Sequence, residues 1–359
     1  MITFESLESI VLEITSKCQA SCPMCARNLF GGITNPNLIE DGWSLDDYKN
    51  IINYEVLNQI KEIIFCGNFG DCVINSNFLE MCRYTAVTNP NIKVQIHTNG
   101  SMRTKEWWKE LAQALPKNHV VKFALDGLED THSLYRIGTN YHKILENAKS
   151  FIENKGTAEW AMIRFDHNAH QVEEARELSK KLGFTSFSLK DSNRFTNGKQ
   201  KVVDKNNNLL YHLYPYKKTK VNGIDSSSVD YFLQNLNNIK IDCVAQKLKQ
   251  IYIDTHGDLY PCCFTAGIPY HYMQSDDLLY EGLKRAKKEH KKIIKKFGGK
   301  DKINTKKYTV KEILSNKDWV DAWANSWNRD ELIVCSKICG KLPKKIFFSP
   351  KEQHVNDDS

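Results

Sequence analysis

Cys18-Gln19-Ala20-Ser21-Cys22-Pro23-Met24-Cys25 stands just after an apolar run, Ile10-Val11-Leu12-Glu13-Ile14. The run reads as a short buried strand, so three thiols fall within eight residues on a loop leaving a strand. Three thiolates at this spacing can grip three corners of a cubane iron–sulfur cluster and leave the fourth iron without a protein ligand. An open coordination position is what separates catalytic from structural metal sites. A zinc knuckle is the alternative, but zinc wants a fourth Cys or His close by, and none lies between Arg27 and Ile64.

Moving outward from this loop, short apolar runs alternate with helical stretches. Strands are predicted over 10–14, 62–66, 93–97, 120–125, 160–165 and 184–189, and helices over 44–57, 77–87, 105–115, 141–153 and 170–182. Ser44, followed by two acids, fits a helix start. This alternation implies a parallel sheet. Six such repeats are two short of the closed eight-stranded barrel, so the predicted class is α/β, a partial (β/α)6 TIM-like barrel. In such barrels chemistry gathers at the carboxyl ends of the strands.

Each strand end carries a polar or glycine-rich stretch. The second leads into Phe65-Cys66-Gly67-Asn68-Phe69-Gly70-Asp71-Cys72, where the glycines permit close backbone approach to a ligand. The third ends in His97-Thr98-Asn99-Gly100, a turn offering hydroxyl and amide groups. The fourth ends in Phe123-Ala124-Leu125-Asp126-Gly127, with Thr131-His132-Ser133-Leu134-Tyr135-Arg136 beyond it. A guanidinium such as that of Arg136 can clamp a carboxylate bidentately. Arg164 and His167 stand at the end of the fifth strand, and Lys190, Asp191 and Arg194 at the end of the sixth, facing the expected substrate cavity.

A second cysteine constellation follows. Cys243 is separated from Cys262 by a predicted strand over 250–254 and a hairpin turn at His256-Gly257-Asp258. Cys335 and Cys339 lie one helical turn apart near the end of the chain. Four cysteines would also satisfy a structural zinc, but the first motif favours a cluster here too. Cys263 competes with Cys262. Cys72 and Cys263 are candidate hydrogen-atom donors near the reaction chamber, whereas Cys82 reads as buried filler.

The 359 residues suffice for one large domain and a smaller one. No apolar run approaches the roughly 20 residues of a membrane span, and the N-terminus lacks a secretory signal. Eleven cysteines without an export signal point to metal ligation and to the cytoplasm. The net charge of +7 equals that of residues 281–300 alone, where nine Lys or Arg face two Glu. This is one basic helix rather than a generally nucleic-acid-binding chain. Its apolar face runs through Leu279, Leu283, Ala286, His290, Ile293 and Phe297. Trp319, Trp323 and Trp327 form a second stripe, expected to be core.

Taken together, C-x3-C-x2-C, the glycine loop after the second strand, Thr98-Asn99-Gly100, Asp126-Gly127 with Arg136, and the Cys243…Gly257…Cys262 and Cys335-x3-Cys339 pairs resemble the radical S-adenosylmethionine (SAM) enzymes of the SPASM/Twitch branch. The chain has Gly70-Asp71-Cys72 where that family carries Gly-Gly-Glu or Gly-Glu-Pro, and Ala124 where it carries serine. The resemblance implies a SAM-binding [4Fe–4S] cluster on Cys18, Cys22 and Cys25. It also implies one auxiliary [4Fe–4S] cluster on Cys243, Cys262, Cys335 and Cys339. SAM contacts would come from Gly67, Asn68, Gly70, Asp71, Thr98, Asn99, Asp126, Arg136 and Arg164. The expected layout is a SAM core over 1–195, a bridge over 196–240, a Twitch-like cluster domain over 241–345 and a tail over 346–359. The implied activity is hydrogen abstraction from a substrate by a 5′-deoxyadenosyl radical, with electrons from an external flavodoxin- or ferredoxin-type donor. A peptide or protein substrate comes first. A small anionic metabolite, or a non-catalytic iron–sulfur protein binding nucleic acid, are the alternatives. Because the cluster motif begins at residue 18, a peptide substrate would be expected to need a separate recognition partner.

Overall fold

The computed structural model describes residues 2–192, 194–195, 198–216, 239–272, 280–328 and 332–341. Asn193, most of the bridge, Leu279, the side chain of Trp327 and the tail lie outside the described residues.

Six strands follow one another in the order the apolar runs predict: β1 (Ser9–Leu12), β2 (Glu62–Phe65), β3 (Lys93–Thr98), β4 (His119–Ala124), β5 (Ala158–Arg164) and β6 (Ser186–Asp191). Each pairs in parallel with the next, from Ser9 opposite Glu62 to Arg164 opposite Asp191. Parallel pairing demands crossovers, which helices supply. These are α1 (Leu45–Ile51), α2 (Tyr54–Gln59), α3 (Phe78–Thr88), α4 (Lys105–Ala114), α5 (Glu129–Tyr135), α6 (Tyr141–Glu153) and α7 (Val172–Lys181). The sequence predicts a single helix over 44–57, but the structure breaks it after Ile51. Asn53 leaves helical geometry and its side chain accepts from Val56 N, a role asparagine fills better at an N-cap than in a helix interior. Ser44 and Asp47 form a full capping box at the start of α1.

In the bridge, β7 (Gln200–Val203) and β8 (Leu209–Leu213) form a hairpin, and β9 (Lys240–Ile241) pairs with β12 (Gly340–Lys341). The strand predicted over 250–254 is β10 (Gln250–Ile253). It extends the main sheet, parallel to β1 with Ser9 opposite Gln250, and β11 (Leu259–Tyr260) pairs antiparallel to it. The eight-stranded order is β11-β10-β1-β2-β3-β4-β5-β6, open at both edges. Being central, β1 has Ile10 and Leu12 fully buried.

The remaining helices are α8 (Val244–Lys247), α9 (Cys263–Gly267), α10 (Tyr280–Lys296), α11 (Val310–Ser315), α12 (Lys317–Asn328) and α13 (Ile333–Cys339). Helix α10 buries Ala286, His290 and Ile293 and leaves most of its lysines exposed. Trp319 and Trp323 are core, packed at 5.5 Å between ring centres. No helix of the described residues is long and apolar enough to cross a membrane.

Candidate functional site

The segment leaving β1 is pinned on every side. Arg27, buried, donates to Ser16 O and pairs with Glu40. Ser21 N bonds to Ile137 O at 2.8 Å, and Cys25 N to Cys22 O at 3.0 Å. Arg194 reaches over the loop to Met24 O at 2.9 Å. A loop with so many backbone partners holds its three sulfurs in fixed positions.

A strand end and a helix end direct donors at those sulfurs. From β3, Asn99 Nδ2 approaches Cys18 Sγ at 3.7 Å, and its Oδ1 accepts from Gln19 Nε2 at 2.6 Å. From the turn after α5, Arg136 Nη1 donates to Cys22 Sγ at 3.9 Å, while its Nε pairs with Asp126 Oδ2 at 2.5 Å. Asp126 is fully buried and also accepts from Ile163 N. Cys25 Sγ lies 3.7 Å from Asn68 O. Burial pushes the Cys22 thiol up to about 11, with the Arg136 guanidinium pulling against it. Cys18 and Cys25 are raised as well, first by burial. Ligation by a cation would reverse that cost, because a bound metal holds its thiol deprotonated.

Asp71 is buried beneath Asn99. Its Oδ2 accepts from Thr98 Oγ1 (3.0 Å), Asn99 N (2.8 Å) and Asn99 Nδ2, and its Oδ1 caps Val73 N. It thus braces the Thr98-Asn99 turn. The 67–71 loop is sterically tight: a Cβ on Gly70 would stand 1.9 Å from Thr15 O, and one on Gly67 1.5 Å from Gly70 O. Beneath it Glu13, also buried, accepts from Phe69 N (2.6 Å) and Gly70 N (3.1 Å) and from the Tyr252 hydroxyl.

The other predicted residues lie at varying removes. Arg164 and Asp191 pair with each other bidentately (2.9 and 3.0 Å), under the ring of Tyr216. Lys190 is near enough to Cys66 and His97 to influence both electrostatically. His167 stacks on Phe165. Cys72 is buried in the main core below the His97 carbonyl. Cys263 starts α9, and its carbonyl accepts from Asn68 Nδ2 at 3.0 Å.

Cys243, Cys262, Cys335 and Cys339, brought together from a loop, the β11–α9 turn and α13, line one cavity. The rest of its wall is mainly apolar: Pro261, Phe264, Trp323, Val334 and Ile338. The hairpin that returns Cys262 turns at Gly257, whose φ of +85° favours glycine. Cys243 hydrogen-bonds to Cys339, which lowers the Cys339 thiol and raises that of Cys243. Trp323 Nε1 is buried without a hydrogen-bond partner. Among the described residues no three His, Cys, Asp or Glu side chains gather around one point as the ligands of a single ion would.

Reading the sequence missed Glu13, Gln19 and Tyr252. The available signal was a lone acid inside an apolar strand, since a buried carboxylate must find donors.

No family model matches the chain. A curated relative, the tungsten-containing aldehyde ferredoxin oxidoreductase cofactor-modifying protein of Pyrococcus furiosus, is 29% identical over 136 residues, 37% of this chain and 34% of the relative. The chain therefore matches about a third of that protein's length. Among solved structures, Streptococcus suis SuiB bound to S-adenosylmethionine superposes with a TM-score of 0.50 at 15% identity, covering 78% of this chain and 65% of that one, just under two thirds of its length. His-tagged anSMEcpe with bound AdoMet gives 0.51 at 16% identity over 88% and 79% of the two chains. Native anSMEcpe with AdoMet and the Kp18Cys peptide gives 0.50 at 16% over 88% and 82%. At these identities the likeness is one of fold.

Proposed function

We propose that the chain is a radical SAM enzyme of the SPASM/Twitch type, its sheet forming the wall of a partial barrel. The observation that carries this reading is the Cys18–Cys25 loop itself, with Asn99 and Arg136 donating toward two of its three sulfurs. A cubane takes one thiolate per corner, so its ligands stand apart instead of crowding one ion. Three cysteines leave a corner for SAM. The sharing of a fold with proteins solved with SAM bound supports the same ligand here.

The second set fits a fully ligated auxiliary [4Fe–4S] cluster on Cys243, Cys262, Cys335 and Cys339. A group with sulfide acceptors would suit a largely apolar cavity whose wall includes a tryptophan with an unanswered N–H. Cys18, Cys22 and Cys25 would hold the first cluster, which, reduced by an external one-electron donor, would supply the electron for cleaving SAM to methionine and the 5′-deoxyadenosyl radical that would take a hydrogen atom from the substrate.

The chain's own residues bind and orient. The tight 67–71 loop offers backbone groups to the methionine end of SAM, and the Thr98-Asn99 turn, braced by Asp71, stands on the nucleoside side. Arg136, already anchored to Asp126, presents positive charge beside Cys22. Lys190, Asp191 and Arg194 border the substrate side, Arg164 stays among the SAM contacts beside its partner Asp191, and Cys263 is the candidate hydrogen-atom donor, since Cys72 is buried in the main core. A peptide is the favoured substrate, since one of the structures sharing this fold holds a peptide beside AdoMet.

Anaerobic reconstitution tests the reading. About eight irons per chain and release of 5′-deoxyadenosine from SAM on reduction are expected. Zinc in the N-terminal triad, or a reduced protein that leaves SAM whole, refutes it.

A further inference from the structure

The carboxylate of Glu13 has an unusual set of partners. It is 2% exposed, and the hydrogen bonds it makes come from two consecutive backbone amides and one phenol, with no cation among them. A buried carboxylate is expensive to keep unless each lone pair is answered. Its retention here has a geometric consequence. The amides belong to Phe69 and Gly70, in a loop where a Cβ at Gly67 or Gly70 would collide with backbone; the buried Phe69 ring packs on Tyr270, 5.2 Å between ring centres, while the glycines on either side have no side chain to hold them. The phenol belongs to Tyr252 on β10, 239 residues away in sequence and 1% exposed. A second tie runs the same way, since Asn68 Nδ2 donates to the carbonyl of Cys263. Both Tyr252 and Cys263 belong to the hairpin region that delivers Cys262 to the cysteine-lined cavity.

We infer that Glu13 and Tyr252 are positioning residues that latch the 67–71 loop to the β10–β11 hairpin, so that the fit of the loop to SAM is set from the C-terminal cysteine region. The inference rests on the reading that this loop faces SAM. Phe69 against Tyr270, Asp71 N on Lys17 O and Asn68 on Cys263 O hold the rest of the loop, and Tyr252, by fixing Glu13, sets the direction of the Phe69 and Gly70 amides. With the hydroxyl gone, the carboxylate is free to turn, and the two amides lose a fixed acceptor. Damage at the second cysteine set reaches the first site through the same contacts.

Tyr252→Phe tests this with the ring's volume kept. In anaerobically reconstituted protein, SAM affinity is measured by equilibrium dialysis, exchange of the Phe69 and Gly70 amides by hydrogen–deuterium exchange, and iron per chain by assay. The expected result is SAM binding weakened about tenfold, faster exchange at 69–70, and unchanged iron. Glu13→Gln, which keeps an acceptor for the amides, should retain more affinity than Glu13→Ala. Faster exchange with SAM affinity within twofold of the parent overturns the inference, as does exchange that does not change. A parent protein that binds no SAM removes the functional reading and this inference with it. A parent that binds, alongside a Tyr252→Phe variant that binds equally well, defeats the inference alone.

Discussion

The two cysteine regions of this chain solve different problems. The N-terminal loop sets three thiols at the carboxyl end of a parallel sheet, among an amide, a guanidinium and a backbone carbonyl supplied by neighbouring turns and loops. The C-terminal set puts four thiols around one cavity whose wall is otherwise mostly Pro261, Phe264, Trp323, Val334 and Ile338. A polar surround with one thiolate too few suits a group that must exchange a ligand. An apolar surround with a full complement suits a group that stays. The lesson is that ligand number and second-layer chemistry change together, so substitutions in the two regions should fail in different ways.

The largest contrast comes from removing a ligand. Cys22→Ala should lower iron from about eight to about four per chain and abolish SAM cleavage outright. Cys262→Ala should lose a similar share of iron, yet leave the N-terminal set loaded, weakening SAM binding rather than eliminating it. Iron and sulfide assays with electron paramagnetic resonance of the reduced protein separate the two. Equal loss of SAM cleavage in both variants would erase the distinction between the regions.

A smaller effect is expected from the ion pair behind Cys22. Burial pushes the Asp126 carboxyl above its ordinary value, against the pull of Arg136. Arg136→Met keeps much of the side-chain volume but strands a fully buried acid. Breaking such a pair from one side costs about 3–5 kcal/mol, readable by urea denaturation. The double variant Arg136→Met/Asp126→Asn should recover part of that loss in stability while SAM binding stays impaired. Recovery of both would reduce Arg136 to a purely structural role.

What was legible beforehand follows from the range of the interactions. The six strands and the cysteine spacings are local patterns, and the apolar runs sit within two residues of the observed strand boundaries. The hairpin that turns at Gly257 is local as well. The position of β10 is not, because which strand a parallel neighbour joins depends on the whole topology, and nothing in residues 250–253 specifies β1 as partner. Glu13 was passed over for a related reason. Inside Ile10–Ile14 it reads as one polar residue in a strand, and its donors arrive from positions 69, 70 and 252. Arg164 and Asp191 illustrate the same point at the opposite edge, where their pairing is fixed by the β5–β6 register. The break between α1 and α2 turns on a single asparagine preferring a cap.

The smallest expected effect lies behind the second cavity. His290 packs 5.7 Å from the ring of Tyr260 and 6.5 Å from that of Trp323, a cavity residue, and its Nε2 is buried without a hydrogen-bond partner. Burial, reinforced by the charge of Lys300, lowers its pKa to about 4. In the unfolded chain histidine titrates near 6.5. Below that value the unfolded state takes up a proton that the folded state refuses, so the stability present above pH 6.5 is lost as pH falls toward 4. His290→Phe fills the same aromatic slot and cannot titrate. Between pH 7 and pH 5 the parent should lose about 1–2 kcal/mol more than the variant, measured as the difference in urea midpoints at the two values. His290 is not among the residues lining the cysteine cavity and backs it only through Trp323, so iron retention at pH 7 should be the same in both. A variant as acid-sensitive as the parent would mean that His290 is protonated within the folded chain. The aromatic backing of the second cavity would then carry a charge, and the contrast between a polar first site and an apolar second one would narrow.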